Sequence, residues 1–209
     1  MSSKLLGIDE AGRGCVIGPL VIAGVLIEKE KLNALIKLGV KDSKRLTRCR
    51  REELLPAIEE IARRVYSMAI PSEALTENLN ALELKTMAKI VNKLKPDEAY
   101  IDIPVNPQGI GKYCTALRQM LTDKTIKVIG ENGADAKYPI VGAASIVAKV
   151  RRDQMITALR EKHGDFGWGY PSEIKTRNFL ESYFRKHGDF PDCVRLKWKT
   201  VRKLASAQV

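Results

Sequence analysis

Two apolar runs near the start set the pattern of the chain. Leu5-Leu6-Gly7-Ile8 leads into Asp9 and Glu10, and beyond Gly12-Arg13-Gly14 a longer run extends from Val16 to Ile27. The pattern predicts a strand, a tight glycine-rich bend and a second strand. Glu28 to Leu38 is expected to be helical, with a loop over 39–44. Thr47 is the expected cap of a helix to about Ala62, carried by a stripe of Leu54, Leu55, Ile58 and Ile61, with Pro56 marking a kink or a later start. RVYSMAI at 64–70 reads as a strand. A helical stretch from Ser72 is broken at Asn78-Leu79-Asn80 and resumes over 81–94 on Leu82, Leu84, Met87, Ile90 and Val91.

EAYIDI at 98–103 and TIKVIG at 125–130 are predicted strands, separated by a helix over 113–121. ENGADAKYP at 131–139 is a polar loop before a long helix over 141–161. GDFGWGYP at 164–171 is a loop rich in glycine and aromatics. A helix capped by Ser172 follows to His187, and a basic terminal helix spans 193–205. Strands come first, then helices and strands alternate, then helices alone. This order implies an α/β or α+β core sheet with a helical C-terminal part. No repeat or low-complexity linker marks a boundary, so the expectation is one domain over 1–209, with a core to about 160 and a helical region beyond about 161.

Charge narrows the field of partners. The chain has 36 Lys and Arg against 25 Asp and Glu, a net charge of +11. Residues 141–209 hold 14 basic and 7 acidic residues, and 41–51 hold six basic residues and one acid. Two such regions either flank a nucleic-acid groove or form two solvated helix faces. The four cysteines are far apart and only two histidines exist, so no zinc site is readable from spacing. Neither a signal peptide nor a membrane-length apolar run is present, and the expectation is a cytoplasmic protein with reduced thiols.

The acids carry the candidate chemistry. Asp9 and Glu10 close the first strand, where one of them must face the apolar side. There it is either a metal ligand or the start of a solvated turn. Asp102 interrupts an otherwise apolar strand. Asp135 lies in the polar loop before the long helix, and Glu131 and Asp153 compete for its role, Asp153 beside Arg151 and Arg152. If the strands are neighbours, these carboxylates converge at strand ends, where ligands gather. Carboxylates without His or Cys suit Mg²⁺, and two such ions about 3.5–4 Å apart serve phosphodiester hydrolysis. Ser145 and Lys149 share a helix face by i, i+4 spacing, either as phosphate contacts or as small-residue packing beside a surface lysine.

The motifs resemble those of type 2 ribonucleases H (ribonuclease HII), the archaeal form most of all. They are GIDEAGRGCVIGPLVIAG at 7–24, KDSKRLT at 41–47, YIDIPVNP at 100–107, ADAKYPIVGAASIVAKVRRD at 134–153, GDFGWGYPSE at 164–173 and FPDCVRLKWKTVRK at 190–203. The resemblance implies a ribonuclease-H-like mixed five-stranded sheet flanked by helices, with a helical C-terminal region. It implies a four-carboxylate centre of Asp9, Glu10, Asp102 and Asp135 with Mg²⁺ or Mn²⁺ as cofactor. The implied partners are RNA/DNA hybrids and duplex DNA carrying a ribonucleotide, cut to 3′-hydroxyl and 5′-phosphate ends by a monomer that removes ribonucleotides and RNA primers. Gly12, Arg13 and Gly14 would contact the 2′-hydroxyl, Tyr170 the sugar at the junction, and Lys41, Ser43 and Lys44 the phosphates. GRG with Tyr170 sets the chain apart from a DNA-cutting nuclease of the same fold, and four convergent acids set it apart from a binding protein. The chain ends in LASAQV with no aromatic after Trp198, so no sliding-clamp docking motif is expected there. Type 3 relatives carry an extra N-terminal domain and a lysine between the glycines, so the type 2 form is the expectation here.

Overall fold

The computed structural model describes residues 2–40, 46–75 and 78–206. Lys41, Ser43 and Lys44 lie outside the described residues. A five-stranded mixed sheet has the order β3-β2-β1-β4-β5. Its strands are β1 (Lys4–Ala11), β2 (Leu20–Glu28), β3 (Arg64–Ile70), β4 (Glu98–Asp102) and β5 (Lys127–Glu131). β1 pairs antiparallel with β2 and parallel with β4, which pairs parallel with β5. The helices are α1 (Leu32–Leu38), α2 (Arg48–Ile61), α3 (Leu79–Leu94), α4 (Ile110–Met120), α5 (Ala134–Lys137), α6 (Pro139–His163), α7 (Ile174–His187) and α8 (Lys199–Ser206). This is the ribonuclease-H-like architecture that the resemblance implied. β1 and β2 are apolar almost throughout because helices cover both faces of the sheet.

The chain resolves into two compact units. The first contains 1–11, 21–68 and 80–150. Its core joins Leu5, Ala23, Val25 and Ile27 of the sheet to Val141, Ala144, Ile146 and Val147 of α6 and to Leu54 and Ile58 of α2. The second contains 12–20, 69–79 and 151–209. Its core joins Val16, Ile17, Ile156, Phe166, Leu180, Val194 and Val201, with Trp168, Phe179, Phe190 and Trp198 packed against them. The helical C-terminal region therefore includes two segments from earlier in the chain.

Several element boundaries differ from the sequence expectation. β1 continues through Asp9 and Glu10 to Ala11. The second strand begins at Leu20, because Gly18 turns the backbone at φ +85 and Ile17 bridges instead to Val194. α2 runs unbroken through Pro56, which faces solvent while Leu54, Leu55 and Ile58 hold the buried stripe. Ser72–Ala74 forms a 3₁₀ turn, and the buried Ser72 hydroxyl donates to the Cys193 carbonyl at 2.8 Å. The polar loop contains α5, and the terminal helix starts only at Lys199. Among the described residues no helix is long and apolar enough to cross a membrane.

Candidate active site

In the first unit, acids from adjacent parallel strands meet. Ile8 pairs with Ile101, so one step further Asp9 stands beside Asp102, and Asp102 pairs with Glu131. Asp135 joins them from α5. One carboxylate oxygen from each of Asp9, Asp102 and Asp135 lies within 4.8 Å of the others. Glu10 projects from the opposite face of β1, as strand alternation requires. It is not part of this trio, although its backbone N–H donates to Asp9 Oδ1 at 2.7 Å.

Each member is held by its surroundings. Asp9 is buried, and burial pushes its carboxyl above the ordinary value, with nearby Asp135 adding to the rise. Lys149 and a hydrogen bond from the Ser145 hydroxyl act against that rise. Ser145 is fully buried and also accepts a hydrogen bond from Lys149 Nζ. A hydroxyl with no exposed surface in this position supports Asp9. Asp102 Oδ1 accepts from the Gly133 N–H at 2.9 Å, tying the end of β4 to the turn that starts α5. Asp135 is buried at the start of α5. Glu131, the competing acid, is committed to Lys137 at 2.7 Å and to the Tyr138 hydroxyl, which hold its carboxyl below the ordinary value. Asp153 falls in the second unit. Three oxygen donors at this spacing, without His or Cys, fit a hard divalent cation.

The second unit collects Gly12, Arg13, Gly14 and Tyr170. The turn closes with Cys15 N–H donating to the Gly12 carbonyl at 3.2 Å. Val16 N–H donates to the Gly169 carbonyl at 2.8 Å, which stitches the turn to the loop bearing Tyr170. Two buried arginines brace this assembly. Arg152 donates to the carbonyls of Pro19, Ile17 and Trp168, and Arg195 donates to those of Gly18 and Arg13. They are 2% and 1% exposed, and burial lowers the Arg195 guanidinium to about 10. The Tyr170 ring lies over Arg152 at 5.7 Å, and its hydroxyl bonds to Cys15. Sequence reasoning missed both arginines, which look like solvated basic residues. The usable signal was position: Arg152 falls seven residues after Ser145 and four before Ile156, on one helical stripe.

Glu173, rather than Ser172, sits at the start of α7. Its carboxylate accepts from the N–H of Trp168 at 2.8 Å and from the Thr176 hydroxyl at 3.0 Å, so it fixes the aromatic loop and the helix start together.

The ribonuclease HII family model matches residues 6–201. The ribonuclease HII of Thermococcus sibiricus is 45% identical over 207 residues, covering 96% of this chain and 91% of that protein. The chain belongs to the ribonuclease HII family. It is a type 2 ribonuclease H, a hydrolase of a divalent-metal-dependent family that acts on RNA/DNA hybrids. The ribonuclease H2 structure from Pyrococcus horikoshii is similar, with a TM-score of 0.90 and 40% identity, covering 98% of each chain. The ribonuclease HII in a PCNA complex from Archaeoglobus fulgidus gives a TM-score of 0.84 and 42% identity, covering 93% of this chain and 95% of that one.

Proposed function

We propose that Asp9, Glu10, Asp102 and Asp135 form the catalytic centre of a metal-dependent endonuclease. It cuts RNA within RNA/DNA hybrids, and it cuts on the 5′ side of a ribonucleotide embedded in duplex DNA, leaving 3′-hydroxyl and 5′-phosphate ends. The observation that carries this reading is the approach of Asp9, Asp102 and Asp135 to within 4.8 Å of one another. Their donor set suits Mg²⁺ or Mn²⁺, two ions during catalysis. Bound ions supply an activated water and offset charge on the scissile phosphate and the leaving oxygen.

The chain's own residues do the orienting. Ser145 and Lys149 hold the Asp9 carboxylate in one position, and the Gly133 N–H does the same for Asp102. Such partners keep ligands in register and make them costly to remove. Glu10 is carried into the centre by the resemblance, and its N–H already serves Asp9.

Recognition of the ribose falls to Gly12, Arg13, Gly14 and Tyr170. Gly12 is a glycine for the fold, since φ is +92 and a Cβ there would lie 2.2 Å from Arg152 Nε. Gly14 differs: it is exposed, and among the described residues nothing within 4 Å would oppose a Cβ. A glycine that packing does not require favours close approach of a ligand to the backbone. The 2′-hydroxyl is the group that separates RNA from DNA. Tyr170 is 45% exposed, with its hydroxyl anchored, so its ring is available to the sugar. Assignment of Lys41, Ser43 and Lys44 to phosphates rests on the resemblance. The activity belongs in the cytoplasm, in ribonucleotide and RNA-primer removal by a monomer.

The test is cleavage of three duplexes in Mg²⁺ and in Mn²⁺: an RNA/DNA hybrid, a DNA with one ribonucleotide, and all-DNA. Cleavage of the first two with the third intact is expected. Cleavage of the hybrid alone would remove the single-ribonucleotide activity and the roles given to Gly14 and Tyr170.

A further inference from the structure

The second unit contains another set of metal-ligand side chains. One donor atom from each of His163, Asp192 and Cys193 lies within 4.8 Å of the others. His163 is the last residue of α6, and Asp192 and Cys193 follow the break at Phe190-Pro191. Spacing in the chain hides this set, since His163 and Cys193 stand 30 positions apart and neither begins a C-x-x-C or H-x-x-H pattern.

The backbone that carries two of the donors is firmly held. The Cys193 carbonyl accepts from the Ser72 hydroxyl and from the Gly18 N–H, both at 2.8 Å. Val194 N–H donates to the Pro191 carbonyl at 3.0 Å, and Arg195 N–H to Val16 at 2.9 Å. Preorganisation of this kind lowers the cost of gathering ligands.

The histidine supplies the independent observation. Its side chain is only 12% exposed, and Nε2 is buried with no hydrogen-bond partner among the described residues. It lies 3.4 Å from Asp192 Oδ1, but the geometry makes no hydrogen bond between them. A buried ring nitrogen left in this way is costly, because buried polar atoms normally find partners. A cation between the three side chains would satisfy it. Lys162 takes the other oxygen of Asp192, Oδ2, at 3.2 Å, where it would orient the carboxylate as outer partners of metal ligands do. A cavity of about 610 Å³ is bordered by Asp192 and Cys193, together with Lys162, Leu159 and Met155, so two of the three donor residues border open space.

We propose that His163, Asp192 and Cys193 form a transition-metal site that takes Zn²⁺ with water in a fourth position. One nitrogen, one oxygen and one sulfur donor are a zinc set, whereas Mg²⁺ selects oxygen alone. On binding, the Cys193 thiol loses its proton to solvent and no electron is transferred. The ion joins the end of α6 to the segment before α8, and so staples the second unit.

The test titrates the full chain with Co²⁺ as a probe for Zn²⁺, with Mg²⁺ in excess to occupy the carboxylate centre. A thiolate-to-cobalt charge-transfer band in the near ultraviolet is expected, together with tetrahedral visible bands that Zn²⁺ abolishes. Oxygen ligands cannot produce that charge-transfer band. C193S should remove it, H163Q should weaken Co²⁺ binding at least tenfold, and D102N and C49S should leave it intact. No charge-transfer band at millimolar Co²⁺, or the same band in C193S, overturns the proposal. Should buried Cys193 or His163 resist substitution, D192A changes an exposed side chain and keeps the fold. Co²⁺ affinity equal to that of the parent in D192A would likewise sink it.

Discussion

Gly7 of β1 lies directly against the Ile140 carbonyl of α6: a Cβ on Gly7 would sit 2.2 Å from that oxygen. Gly7 is two residues before Asp9 on the same face of the strand, and Ile140 is five before Ser145. The close approach at Gly7 is therefore what brings Ser145 to Asp9. Gly7→Ala should push α6 outward, at a cost of about 1–3 kcal/mol, or several degrees in Tm. Activity should fall further than stability alone explains, because the Asp9 support moves too. Thermal melts beside hybrid-cleavage rates check this; a variant with parental values in both would contradict the packing argument.

Ser145→Ala removes the hydroxyl that donates to Asp9 and accepts from Lys149. The site loses an orienting partner while all its acids remain. Metal affinity or cleavage rate should drop by about 10–100-fold, the usual effect of losing an outer partner of a ligand. Titration of cleavage against Mn²⁺ measures it. An unchanged midpoint and an unchanged maximal rate would return Ser145 to simple packing.

Gly14→Ala separates fold from function. Among the described residues nothing opposes a methyl group there. Stability should stay within about 0.5 kcal/mol of the parent, as for ordinary surface substitutions. Cleavage at a single ribonucleotide should fall sharply. Matched melts and rates on the ribonucleotide-containing duplex decide the point, and full activity would show that this backbone has no close contact with the substrate.

Asp165 gives a pH signature in the loop that carries Tyr170. The hydrogen bond from Lys175 comes first, then the Gly167 N–H, with Arg160 adding charge, and together they lower its carboxyl from 3.8 to about 2. A depressed carboxyl stabilises the fold above its unfolded value, and that contribution is lost as pH falls through the folded value. Asp165→Asn should therefore lower Tm near neutral pH, and the gap from the parent should close as pH falls from 3.8 to about 2. Melting curves across that window check it; a gap independent of pH would contradict the assignment.

Much of this site could be read from residues alone, and the exceptions have physical causes. Asp102 stood out because an acid inside an apolar strand needs compensation. Strand alternation correctly implied that one of Asp9 and Glu10 faces inward. Asp135 was harder to place by pattern, because α5 has four residues and lies in a stretch of loop composition. Gly7 was indistinguishable from any small residue in an apolar run, since its role depends on a helix more than 130 positions away. Arg152 and Arg195 look like surface charge because burial of a guanidinium depends on carbonyls from Ile17, Gly18 and Pro19, far off in the chain. Long-range pairing of this kind leaves no local trace.

On the proposed function, cleavage depends on the convergent carboxylates Asp9, Asp102 and Asp135. The most direct measurement is the rate of hybrid cleavage by Asp102→Asn, read beside its affinity for the same hybrid. Asparagine keeps the size of the side chain and an oxygen to accept from the Gly133 N–H, but it removes the charge that holds a cation. Cleavage should fall to background, with hybrid affinity kept or increased. Cleavage near the parental rate would contradict it and move the chemistry away from Asp9, Asp102 and Asp135.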